Sequence, residues 1–459
     1  MASFNIKLKT IKGHEENIYI PKLLLNNLEL SENQAIPIYF GLGNFKIAIV
    51  KAITDKDNEV YITSKLRDSL LIPYSKNILI QKEFDGIRFG PIIGILTTDY
   101  TGKKFTNLKI GLEHPFSLFF KNMLTPEPFY PAYYFIFTPD NVDWQNKTVN
   151  GFFFSKENQW VTKTIPLPDV VYNRIPNRTV ERLNYINNFK NEYILLGGKL
   201  FNHNFFNKWD IYNILVEEEK TKVFIPETHI SPSAQLFKVM LEKHPIIYLK
   251  PANGSLGLGV YKIINKNSDF VVQFRSKNSN KAIIFKDAVS IFKYIFSNKF
   301  PHRYILQQGI NLVEYDHCPV DFRVHMHKNN NDKWQVIAIG AKAAGKGSVT
   351  THLRTGGQLI NADQYLDLMF NEHASVIKEN INTSSILIAE TVESKLKEPL
   401  GELGLDIGID KNSRIWLFEV NSKPGRSIFK HPSLKTARAE SNKRLLEYAI
   451  LLSNFSLAK

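Results

Sequence analysis

Along the first 90 residues, apolar and polar positions alternate in short runs, the period-two signature of half-buried strands. Two stretches resemble each other. Ile18-Tyr19-Ile20-Pro21-Lys22-Leu23-Leu24-Leu25 leads through Leu28-Glu29-Leu30 to Ile36-Pro37-Ile38-Tyr39-Phe40-Gly41. Val60-Tyr61-Ile62-Thr63-Ser64-Lys65-Leu66 leads through Leu70-Leu71-Ile72-Pro73 to Ile78-Leu79-Ile80. Each reads as strand, short helix, turn, strand. A repeat at about 40 residues predicts a pseudo-twofold, β-barrel-like module over 1–90.

From Pro91 the pattern changes. Pro91–Thr98, Tyr134–Phe137 and Asp169–Arg174 are short apolar runs, as in buried parallel strands. A helix is expected from His114 to Met123, with Pro115 in its first turn, where a missing N–H does no harm. This predicts a small α/β domain over 91–180. Over 181–459, helices are expected at Phe206–Glu219, Ser233–Lys243, Tyr365–Ile381 and Lys435–Ser453. Strands are expected at Ile246–Pro251, Val260–Ile264, Phe270–Phe274, Tyr304–Gln307, Asp321–His327, Trp334–Ala341, Gly404–Ile409 and Ile415–Asn421. The mixture predicts an α+β fold built as two lobes.

With 459 residues, 43% of them apolar, the chain is long enough for two to four domains with packed cores. The formal charge of +14 favours polyanionic partners, but no dense basic run occurs, so the lysines read as a solvated surface. The single cysteine, Cys318, excludes an intrachain disulfide and fits a reducing compartment. Met1–Lys7 lacks a signal-peptide apolar core, and no run approaches the roughly 20 apolar residues of a membrane span. The expectation is a soluble, cytoplasmic protein. Nucleic-acid binding is not expected, because the N-terminal segment shows no interleaving of aromatic and basic residues.

Three segments carry candidate chemistry. Lys250-Pro251-Ala252-Asn253-Gly254-Ser255-Leu256-Gly257-Leu258-Gly259 joins two β-type runs rather than a strand and a helix, which argues against a dinucleotide fingerprint. Its glycines would let backbone N–H groups approach phosphate oxygens, and Lys250 would offset their charge. Gly340-Ala341-Lys342-Ala343-Ala344-Gly345-Lys346-Gly347 nearly matches a P-loop, but Gly347 stands where a magnesium-binding hydroxyl belongs. It reads better as a basic loop over an anionic substrate. In Phe418-Glu419-Val420-Asn421, strand alternation puts Glu419 and Asn421 on one face, with Phe418 and Val420 on the other. If Gly404–Asp410 pairs with that strand through Asp410-Lys411-Asn412-Ser413, Asp406 joins them. Two carboxylates and an amide oxygen suit Mg²⁺.

The order and motifs of these pieces resemble the ATP-grasp ligases over roughly residues 180–430, notably through Leu249–Val260 and Glu419-Val420-Asn421-Ser422-Lys423-Pro424-Gly425. More narrowly, Pro166-Leu167-Pro168-Asp169-Val170-Val171-Tyr172-Asn173-Arg174-Ile175-Pro176-Asn177-Arg178 resembles the YheC/YheD endospore coat-associated family. The resemblance implies an ATP-grasp fold with ATP and two Mg²⁺ ions as cofactors. By it, Lys208, Lys250, Gly254, Ser255 and Gly257 contact nucleotide, Gln307, Gln308 and Ile310 form the adenine hinge, and Asp321 holds ribose. Asp406, Glu419 and Asn421 hold the metals. Arg323 and Lys342 face the phosphates, while Arg354 and Arg426 bind a substrate carboxylate. The family often carries an acidic residue at the Gln307 position. The implied activity is ATP-dependent joining of a carboxylate and an amine through an acyl phosphate, in a cytoplasmic or spore-associated setting, with coat proteins as further partners. The alternative is a catalytically degenerate ATP-binding coat component, which the complete set of lysines and metal ligands opposes. His325, His327 and His352 are candidate proton shuttles, though each also suits a structural role.

Overall fold

The computed structural model describes residues 2–54, 58–99, 115–125, 130–155, 157, 159–254, 257–276, 279–353 and 356–456. Ser255, Arg354 and the start of the helix expected from His114 lie outside them. Among the described residues no helix is long and apolar enough to cross a membrane.

Ser3–Gly90 closes into a seven-stranded barrel. The two repeat units, Asn17–Pro21 with the helix Lys22–Asn27 and Glu59–Thr63 with the helix Ser64–Ser69, meet antiparallel, Ile18 opposite Ile62 and Tyr19 opposite Tyr61. Alternation points Ile18, Ile20, Val60 and Ile62 into a fully buried core. In the next sheet, Ile92–Leu96 lies parallel between Tyr133–Phe137 and Val170–Asn173, and every residue of the three strands is buried. That double-sided burial explains their unbroken apolar runs.

Two further sheets form the lobes around the site. One is antiparallel, ordered Thr228–Ile230, Tyr304–Gln308, Ile246–Pro251, Tyr261–Asn265, Phe270–Ser276 and Ser279–Phe285. The other runs Gln358–Ile360, Trp334–Ala343, Cys318–Lys328, Glu402–Ile409 and Ile415–Asn421. The closing helix Lys435–Leu452 contributes Leu445, Leu446, Ala449 and Ile450 to a core shared with Ile93, Ile95 and Tyr172, so it ties the last lobe to the mixed sheet that holds Ile92–Leu96.

Two helices differ from expectation. The helix expected at Tyr365–Ile381 is two, Ala362–Phe370 and Ala374–Leu396, separated where Asn371 takes a left-handed φ of 47°. With ψ at −121°, Asn371 leaves the helical region altogether, and the chain restarts as a helix three residues on. The helix expected from Phe206 to Glu219 runs only from Lys208 to Val216, started by the Asn207 side chain accepting from Trp209 N at 2.8 Å.

Candidate functional site

Between the two lobes lies a cavity of about 360 Å³. Its walls bring together Lys208, Lys250, Gly254, Gly257, Gln307, Gln308, Ile310, Asp321, Lys342, Asp406 and Glu419.

A β-bulge assembles the acidic end. Ile409, Gly408 and Ile407 pair with Ile415, Trp416 and Leu417, and the next pair is Asp406 with Glu419, so Phe418 is an extra residue. In an unbroken register Asp406 would lie opposite Phe418, and Glu419 would turn to the other face. The bulge therefore puts both carboxylates on the cavity side. It also corrects the expectation for Phe418, which lines the cavity 5.6 Å from Lys250 Nζ instead of facing away.

Asp406 is gripped by cations. Arg323 donates to it through Nε at 2.9 Å and Nη2 at 2.7 Å, and Lys342 Nζ donates at 3.0 Å. Burial alone would push the Asp406 carboxyl up, but Arg323 and Lys342 outweigh it and hold the group well below the usual range. Lys208 Nζ donates to Glu419 Oε1 and to the Gly254 carbonyl, both at 2.8 Å. The Asn421 amide lies 3.5 Å from Asp406 Oδ2. Asp406, Glu419 and Asn421 thus offer hard oxygen donors from paired strands, the donor set that suits Mg²⁺.

At the hinge, Lys250 Nζ donates to Gln307 Oε1 at 2.6 Å, and Gln307 Nε2 donates to Thr228 Oγ1 at 3.0 Å. The Gln307 amide therefore fixes Lys250. Burial, with Lys208 nearby, pulls the Lys250 pKa down to about 8 despite the Glu419 carboxylate. The loop after Trp334–Ala343 folds over the cavity. A β-carbon on Gly257 would meet Thr350 Oγ1 at 3.0 Å, and its φ of 69° also favours glycine.

Two placements differ from the sequence reading. Asp321 sits among Lys342 and the loop that folds over the cavity, with Oδ1 2.9 Å from Lys342 Nζ and Oδ2 accepting from Thr351. Its register opposite Lys342 dictates this. Arg426 turns away from the cavity, donating to Glu402 Oε1 at 3.1 Å, to Asn442 Oδ1 at 2.8 Å and to Ser441. Glu402 is fully buried and also accepts from His325 Nε2 at 2.9 Å and from Tyr172. His325, His327 and Glu402 have metal-ligand spacing, within 4.8 Å, but the Arg426 and Arg174 guanidiniums around Glu402 oppose a bound cation. Burial pushes the His325 pKa down to about 4, which favours its neutral form. His352, in contrast, lines the cavity, and burial beside Lys342 lowers its pKa.

The sequence reading missed Tyr248, Lys262, Glu314 and His317, which all line the cavity. Lys262 had a signal, since it pairs opposite Tyr248 two residues before Lys250 on the same strand face. Glu314 opens the two-residue strand Glu314–Tyr315 and His317 follows it two residues on, a strand that no periodicity reveals.

The family model described as YheC/D like ATP-grasp matches residues 197–452. Endospore coat-associated protein YheD of Bacillus subtilis (strain 168) is 34% identical over 410 residues, covering 86% of each chain. Endospore coat-associated protein YheC of the same strain is 24% identical over 302 residues, 63% of this chain and 80% of that protein. Among solved structures, D-alanyl-alanine synthetase A from Vibrio cholerae aligns over 80% of this chain and 98% of its own, at 14% identity and a TM-score of 0.46. The family model spans more than half of the chain and YheD matches across most of it, so this chain belongs to the YheC/D-like ATP-grasp family.

Proposed function

We propose that the protein is a magnesium-dependent ligase that joins a carboxylate to an amine at the expense of ATP. The observation that carries this is the convergence of Lys208, Lys250, Lys342 and Arg323 with Asp406, Glu419 and Asn421 on one cavity end. Gln308 and Ile310 line the hinge for adenine, and Glu314 and His317 stand beside it for ribose hydroxyls. Asp406, Glu419 and Asn421 would hold two Mg²⁺ ions, which would withdraw charge from the phosphates.

A substrate carboxylate oxygen attacks the γ-phosphorus, the bond to the β,γ-bridging oxygen breaks, and ADP leaves. Amine nitrogen then attacks the acyl carbon, the acyl C–O bond breaks, phosphate leaves, and the amine loses a proton. We assign its acceptance to His352, which lines the cavity. The protein's part is positioning and charge neutralisation. Lys250, Lys342 and Arg323 hold positive charge where negative charge gathers. The relatives' name, endospore coat-associated, supports a role at the spore coat, with coat proteins as partners.

The test is ATP-dependent formation of hydroxamates from a panel of amino acids and acidic peptides, with hydroxylamine as the amine. Hydroxamate and ADP in equal amounts support the reading. Tight Mg-ATP binding with neither product across the panel would instead favour a non-catalytic coat component.

A further inference from the structure

The segment ending in Asn177-Arg178 finds no use in the nucleotide site, yet it ends beside it. Arg178 begins the short helix Arg178–Glu181, started by Asn177, whose side chain accepts from Val180 N at 2.9 Å. Its guanidinium lies over the Phe205 ring, 5.2 Å from the centroid. Lys423 Nζ lies 4.7 Å from the same centroid. Lys423 belongs to the loop that leaves the metal strand two residues after Asn421, so Phe205 sets Arg178 against that loop.

The two cations differ in one respect. Lys423 is committed to Glu181, which also accepts from Lys190 at 3.3 Å. Arg178 has no carboxylate within ion-pair distance among the described residues, and its buried Nε has no hydrogen-bond partner. Burial lowers its pKa, and Glu419 is the carboxylate whose charge reaches it most strongly. A half-buried guanidinium without an acid is costly unless a ligand supplies the anion. Its planar fork matches the two oxygens of a carboxylate, and the ring behind it holds the plane. Arg426, by contrast, has its donors taken by Glu402, Ser441 and Asn442.

We propose that Arg178, backed by Phe205, binds the anionic group of the substrate that accepts phosphate from ATP, a carboxylate that becomes an acyl phosphate. This rests on the ligase reading for the identity of the anion.

Calorimetry with acetyl phosphate, titrated into the full chain saturated with Mg-ADP, tests the site without turnover. Wild type binds it. Arg178→Gln weakens binding by about 100-fold, Arg178→Lys weakens it less, and Phe205→Leu weakens it by several-fold, while Mg-ADP affinity stays within twofold in all three. Equal acetyl phosphate affinity in wild type and Arg178→Gln overturns the proposal, as does absence of binding to wild type. If Arg178→Gln unfolds, Arg178→Lys and Phe205→Leu carry the same comparison. Arg178-dependent binding combined with no hydroxamate from any acid retains the anion site and removes the ligase reading. Hydroxamate formation with an unchanged KM for acid in Arg178→Gln does the reverse.

Discussion

Asp406 and Glu402 lie four residues apart on one strand, on the same face, and each carboxylate is gripped by an arginine. About 13 Å of extended chain separates them. Asp406 borders the cavity, with Glu419 and Asn421 beside it and the mouth open to a ligand. Glu402 is sealed by Tyr172 from the strand Val170–Asn173, His325 from the neighbouring strand and Arg426 from the following loop. Similar residue types therefore serve two ends. Where one side is left open, a ligand can reach the cations that hold the protein's carboxylates. Where every side is closed, the same pairing joins three structural units.

Breaking the sealed cluster should have the largest effect. Glu402→Gln leaves Arg174 and Arg426 buried without their carboxylate, and should cost about 3–5 kcal/mol of unfolding free energy in urea titrations. Mg-ATP affinity of the folded protein should stay within about twofold. A parallel loss of nucleotide affinity would show that the two clusters are not separate in function.

The open cluster should respond in the opposite sense. Glu419→Gln should weaken Mg-dependent ATP binding by about 100-fold in calorimetry, while binding without magnesium changes little. Stability should move by less than about 1 kcal/mol, because the Glu419–Lys208 pair reaches the solvent of the cavity. Undiminished magnesium dependence would remove Glu419 from the metal set.

Acidity gives a finer contrast. Lys250 titrates near 8 in the free cavity, below its ordinary value of 10.5, because burial disfavours its charge. Folding therefore releases a proton between about pH 8 and 10.5, so Lys250 adds stability as pH rises through that window. ATP binding has the opposite sign, since phosphate favours protonated lysine. Affinity should be level below about pH 7 and fall by up to tenfold per unit above about pH 8. Lys250→Met should bind weakly at every pH and lose that slope. His325, whose pKa burial depresses to about 4, should contribute nothing to nucleotide binding across this range.

Much of the open cluster was legible because its chemistry is short-range. Alternation put Glu419 and Asn421 on one face, and Asp410–Ser413 does turn the hairpin, with Asp410 Oδ1 accepting from Asn412 N at 2.9 Å and Arg414 N at 3.0 Å. The glycine-rich turn does join antiparallel strands. The bulge at Phe418 was not legible, because an extra residue in one strand depends on its partner's register. Nor was the sealed cluster, whose members come from Tyr172, His325, Glu402 and Arg426. Arg426 follows the metal strand in sequence, but that does not say which way its side chain turns, and Glu402 lay before the expected start of its strand.

The smallest predicted effect concerns Asn202, which belongs to neither cluster but joins the strands of both. It is fully buried, and its φ of 54° is left-handed. Its Oδ1 accepts from Gly401 N at 2.9 Å and Glu402 N at 3.3 Å, and its Nδ2 donates to the Glu402 carbonyl at 2.7 Å and to the Ser422 carbonyl. One amide thus pins the start of the strand carrying Asp406 to the residue after Asn421. Asn202→Gly keeps the left-handed backbone and removes all four bonds. The Mg²⁺ concentration that half-saturates ATP binding should rise by up to about tenfold, as for an outer partner of metal ligands, with magnesium-free binding unchanged. If both fall together, Asn202 supports the lobe as a whole and not the spacing of the metal ligands.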